Sequence, residues 1–143
     1  FDMNAATDLI EASVAEEIDP ALRLRKLFLG SVHYWLAHLD HFDLLFSASL
    51  PQAGARRGDG KPFGQSSSVQ RSLKLYRDAV DAFFATLPRR PAPTALAADI
   101  LIATSHGIIV FPRLTSTMQW SDTAQMAEEA VDALIQAWAA AGR

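Results

Sequence analysis

Two consecutive apolar helices constrain this chain more than anything else in it. Residues 95–111 read ALAADILIATSHGIIVF, and a second capped segment follows at 122–141. Both carry small or apolar side chains around much of their circumference. A helix in a domain of 143 residues normally hides one stripe and wets the rest. Helices that cannot be wetted on either face need a second surface for burial. Most soluble oligomers are symmetric homodimers, so the expected surface is another copy of the chain.

The length fits one domain over residues 1–143, with enough chain for a real core. There is no cysteine, which excludes disulfides, thiolate nucleophiles and Cys-ligated zinc. The net charge of −3 provides no basic footprint for nucleic acid. No uncharged apolar run reaches the ~18–20 residues of a membrane span; the tract at 95–111 is interrupted by Asp99 and His106. No signal peptide is visible, and the expected location is cytoplasmic, away from membranes. Phe1 falls inside a helical pattern, so the chain reads as a portion of something longer.

The pattern is helical nearly throughout, giving an all-α bundle of about six helices. The first covers 1–18, with Leu9, Ile10 and Val14 on its apolar side. Asp19 and Pro20 fit an N-cap followed by proline at the first helical position. The second runs over 20–37, with Leu24, Leu27, Phe28, Ser31 and Trp35 at helical spacing. Asp40 suits the cap of a short third helix carrying Phe42, Leu45 and Phe46. Residues 47–66 hold prolines and glycines without periodicity and read as a loop or lid. Ser67 and Gln70 match a capping box for a fourth helix ending near Leu87. The fifth covers 94–111, stopped near Pro112, and the sixth covers 122–141, closed by Gly142 in a left-handed cap.

Candidate chemistry is sparse. His33, His38 and His41 with Asp40 and Asp43 form one ligand-like cluster, but it straddles a helix break. A structural or catalytic metal needs three or four converging ligands, and the same residues suit surface and capping roles. The expectation is no metal and no cofactor. Ser105-His106-Gly107 lies inside a helix and lacks the G-x-S-x-G elbow. The glycines at 54–64 lack G-K-[ST]. Phe28, Trp35, Phe42, Phe46, Tyr76, Phe83 and Phe84 remain, interleaved with Ser31, Ser72 and Thr104. Such a set fits a plain helical core, and it also fits an apolar pocket with a few orienting hydrogen bonds.

The helix order and three segments resemble the C-terminal domain of TetR-family transcriptional regulators. These are DPALRLRKLFLGSVHYWLAHLDHFDLLFS at 19–47, the amphipathic helix around 68–87, and AADILIATSHGIIVF at 97–111 with its His106-Gly107 pair. The alanine rhythm from Asp122 to Ala137 follows. The resemblance spans essentially the whole chain. It implies a domain that is not an enzyme: an effector-binding, homodimerising body of a repressor, whose residues 1–18 link to a helix-turn-helix head absent from this sequence. DNA would be met only through that head. A small apolar or aromatic effector would shift the population between two arrangements of the paired heads. By position, the implied effector pocket comprises Leu27, Phe28, Ser31, Trp35, Phe46, Tyr76, Phe83, Thr104 and His106. The implied dimer interface comprises Ile108, Ala130, Leu134, Ala137 and Trp138. His106 fits either set. The competing expectations are a small metal-dependent helical enzyme using His33, His38, His41 and Asp40, and a structural helical adaptor with no ligand.

Overall fold

A computed structural model of the protein describes residues 3–44 and 63–143. The described residues are all-helical: α1 (Met3–Val14), α2 (Pro20–Ala37), α3 (Leu39–Phe42), α4 (Ser67–Phe84), α5 (Thr94–Leu114) and α6 (Thr123–Ala141), with a 3₁₀ turn at Phe63–Gln65 before α4. Leu45, Phe46 and most of the expected loop at 47–66 lie outside the described residues.

Helix α2 is the axle of the bundle and touches α1, α3, α4, α5 and α6. Its start follows from Asp19, whose carboxylate accepts from the Ala21 and Leu22 amides at 3.0 and 3.4 Å. Pro20 occupies the first turn, where its missing N–H costs nothing. Its buried residues Leu24, Leu27, Phe28, Ser31, Val32 and Trp35 recur every three or four positions. That spacing winds them onto the faces α2 presents to the other helices.

Several boundaries differ from the sequence expectation. Helix α1 stops at Val14, and Ile18 ends up almost fully solvent-exposed, at 92%. Ser66 rather than Ser67 caps α4, accepting from the Val69 amide at 3.4 Å, while Gln70 donates to the Gly64 carbonyl instead of closing a capping box. The cap of α3 is His38, with Asp40 inside its first turn. Helix α5 runs through Pro112 to Leu114. A proline in the last turn removes one amide donor, too little to stop a helix that is otherwise strongly apolar. Gly142 has φ −91°, so it is not a left-handed cap. It is glycine for want of space: an added Cβ would lie 2.7 Å from the Arg89 carbonyl oxygen. The Arg89 amide donates to the Gly142 carbonyl at 3.0 Å and its Nε to the Arg143 carbonyl at 2.8 Å, tying the end of α6 to the α4–α5 connection.

Helix α5 is long and apolar enough to cross a membrane by length and composition, and only 28% of that stretch is buried in the fold. It packs on α2, α4 and α6 through Ala97, Ala98, Leu101, Ser105 and Ile109. Leu96, Phe111 and Leu114 stand in solvent.

Candidate functional site

The interior is not filled evenly. A cavity of about 190 Å³ lies among α1, α2, α4 and α5. Its origin is topological: α1 and α5 each pack on α2 and α4 but not on one another. The unfilled space between them persists because the facing side chains are short. Ala6 and Thr7 face it from α1, Ser31 from α2, Ser72 from α4 and Ser105 from α5. Trp35, Tyr76, Ile102 and His106 complete much of the wall, with Met3 and Ile10 on the α1 side and Val69 and Leu73 on the α4 side.

Three hydroxyls in this wall are internally satisfied. The Thr7 hydroxyl donates to the Met3 carbonyl at 3.0 Å, Ser31 to Leu27 at 2.8 Å and Ser105 to Ile102 at 2.8 Å. Each spends its proton on its own helix and keeps only lone pairs to offer. Tyr76 is different. The residue is 7% exposed, and its hydroxyl makes no hydrogen bond to any described residue. Burial pushes the phenol pKa up to about 12, with the nearby Ser31 hydroxyl acting in the other direction. It is therefore a neutral O–H donor at physiological pH. Leaving such a donor unpaired in an apolar interior costs about 1–3 kcal/mol. His106 packs edge-on against Phe42, ring centres 5.4 Å apart. Burial lowers its pKa, which favours the neutral imidazole.

Four of the residues implied as effector-binding meet at this cavity: Ser31, Trp35, Tyr76 and His106. Others do not. Phe28 is fully buried in the solid core, and Phe83 packs beside Phe84 with ring centres 5.7 Å apart. Leu27 is buried too, facing a different hollow between α1, α2 and α4. Thr104 is half-buried and outside the wall, because α5 turns Ser105 inward instead. Phe46 lies outside the described residues. The α1 contribution leaves no signal in the sequence pattern, because Ala6 and Thr7 are small residues that read equally well as close packing.

The implied interface also needs one correction. Trp138 is 8% exposed and packs edge-on against Phe84 at 5.8 Å, so it belongs to the chain's own core. Ile108, Ala130 and Leu134 are half-buried and Ala137 is exposed.

The histidine cluster is arranged as a stack. His38 lies between Tyr34 and His41, with ring centres at 4.2 and 5.4 Å, and its Nδ1–H donates to the Tyr34 carbonyl at 2.8 Å. No group of three or more His, Cys, Asp or Glu among the described residues is placed to hold a metal ion. Parallel stacked rings direct their nitrogens side by side rather than toward one point.

Helix α1 is held over the cavity by an exposed ion cluster. Arg71 of α4 donates to Asp8, to Glu11 at 3.2 Å and to the Asn4 carbonyl at 3.3 Å. Comparison with family models, curated proteins and solved structures finds no match for this chain.

Proposed function

We propose that this chain is the effector-binding and homodimerising body of a TetR-like transcriptional regulator. The observation that carries the reading is that α1 forms one wall of the cavity. In such a regulator the helix in this position connects to the DNA-binding head. A molecule seated between α1 and α5 contacts α1 directly and favours whichever α1 position accommodates it. A shift of a few ångström in each copy changes the spacing of two heads that must match half-sites about one helical turn apart.

The uncovered apolar surface of α5 supports the dimer half of the reading. Leu96, Phe111 and Leu114 are each more than half exposed, and Ile108, Ala130 and Leu134 lie half-covered on α5 and α6. Burial against a second copy removes such surface from water, worth about 25 cal/mol per Å². A structural adaptor leaves both the cavity and the unpaired Tyr76 phenol without a purpose.

The absence of native cysteine makes the test simple. Ala12→Cys, on the exposed side of α1, gives a single labelling position per chain. Light scattering is expected to show a dimer. Pulsed electron–electron distance measurement between the two labels is expected to shift by a few ångström when toluene saturates the cavity. A monomer at all concentrations removes the dimer half. A bound probe with an unchanged distance removes the switch.

A further inference from the structure

The chemistry of the cavity wall narrows what enters it, and this inference rests on the effector-binding reading above. Three features act together. The first is size. The space is about 190 Å³, and an apolar protein cavity of ~150 Å³ is known to hold one benzene. One ring with a small substituent fills it; a fused polycycle does not. The second is charge. Among the described residues, the wall contains no lysine, arginine, aspartate or glutamate. The imidazole that lines it, His106, is held toward the neutral form by burial. An ionised ligand would lose its hydration with no counter-charge to replace it. The third is hydrogen bonding. The Thr7, Ser31 and Ser105 protons are committed to backbone carbonyls, and the buried Tyr76 hydroxyl makes no hydrogen bond to any described residue.

We infer that the cavity binds a small, uncharged aromatic carbonyl compound, an aryl ketone, aldehyde or ester, whose carbonyl oxygen accepts the Tyr76 hydroxyl proton. The ring lies against Trp35 and Ile102, and the carbonyl supplies the hydrogen bond that the Tyr76 hydroxyl lacks among the described residues. No covalent step is involved.

Three probes of nearly equal shape test this: acetophenone, α-methylstyrene, which replaces the carbonyl oxygen by a CH₂ group, and benzoate, which carries a charge. Calorimetric titration is expected to rank acetophenone first. α-Methylstyrene is expected to bind roughly tenfold more weakly, since it leaves the phenol unpaired, and benzoate to show no measurable binding. Tyr76→Phe keeps the ring and the fold, and is expected to erase the difference between the first two probes. Ala6→Leu fills the cavity from α1 without touching the phenol, and is expected to abolish binding of both.

Equal affinity of acetophenone and α-methylstyrene in the native chain overturns the inference. So does a preference that survives Tyr76→Phe, a preference for benzoate, or unchanged binding in Ala6→Leu. Failure of all three probes also overturns it, while the label-distance experiment still decides the switch with toluene. Conversely, the expected ranking without movement of α1 keeps this ligand chemistry and removes the regulator reading.

Discussion

The two sides of α2 are built from the same kinds of residue and end up differently. Around α6, the C-terminal half of α4 and the N-terminal half of α5 the interior is solid: Leu24, Phe28, Val80, Leu101 and Val131 are fully buried, and Phe84 and Trp138 interlock edge-on. Toward α1 it is hollow, although Trp35 and Tyr76 are as large as anything in the solid part. The difference lies in the small residues. Ala97 and Ala98 sit where α5 packs closely on its neighbours, so their smallness is consumed by backbone approach. Ala6, Ser31 and Ser105 sit where α1 and α5 do not meet, so their smallness becomes empty volume. A small residue therefore makes close packing or a cavity depending on whether the opposing helix can move in.

This contrast can be broken by mutation, and the largest effect belongs to the solid side. Phe28→Ala is expected to lower unfolding free energy by about 3–5 kcal/mol, read from urea midpoints, because a rigid surround cannot collapse on the void. Adding volume separates the two sides next. Ala97→Leu is expected to cost about 1–3 kcal/mol through overpacking, whereas Ala6→Val fills existing space and should leave stability unchanged or raise it. Equal penalties at both positions would mean that the hollow is not preformed. Removing the unpaired hydroxyl with Tyr76→Phe is expected to raise stability by up to about 1 kcal/mol in the absence of any ligand; a clear loss would show that the phenol is paired after all.

The pH response sharpens the same comparison. Burial puts the folded-state pKa of His106 below its unfolded value of about 6.5. As pH falls, the unfolded chain takes up the proton first, so stability is full above about pH 6.5 and declines as pH drops toward the folded value. Denaturation midpoints measured from pH 7.5 to 5 should show this slope, and His106→Gln should remove its share. The lowered carboxyl pKa values of Glu17, Asp43 and Asp81 act in a separate, more acidic window. The smallest expected effect is at Arg71, whose ion pairs are exposed and screened by salt. Arg71→Ala should speed amide exchange in α1 while leaving α6 unchanged. Equal change in both helices would mean that α1 is not separable from the rest of the bundle.

Much of the fold was legible because helix periodicity and caps are local. Asp19-Pro20 placed the start of α2 correctly, and Asp122 caps α6 through the Gln125 amide at 3.0 Å. Where local rules competed with tertiary contacts, the contacts won. Gly142 looked like a left-handed cap and is instead a point of contact with the Arg89 carbonyl. Trp138 looked like an interface ring on a long apolar helix and is instead the partner of Phe84.

The sequence by itself determined the helical class, the apolar stripe of α2, and the excess of apolar surface on α5. These depend only on residue spacing along one chain direction. It also placed Ser31, Trp35, Tyr76 and His106 on helix faces that turn inward. Only the tertiary structure decided which inward faces meet and which stay apart. That decision rests on distances between helices far apart in sequence, and it alone made Ala6, Thr7 and Ser105 part of a cavity wall rather than of a close contact.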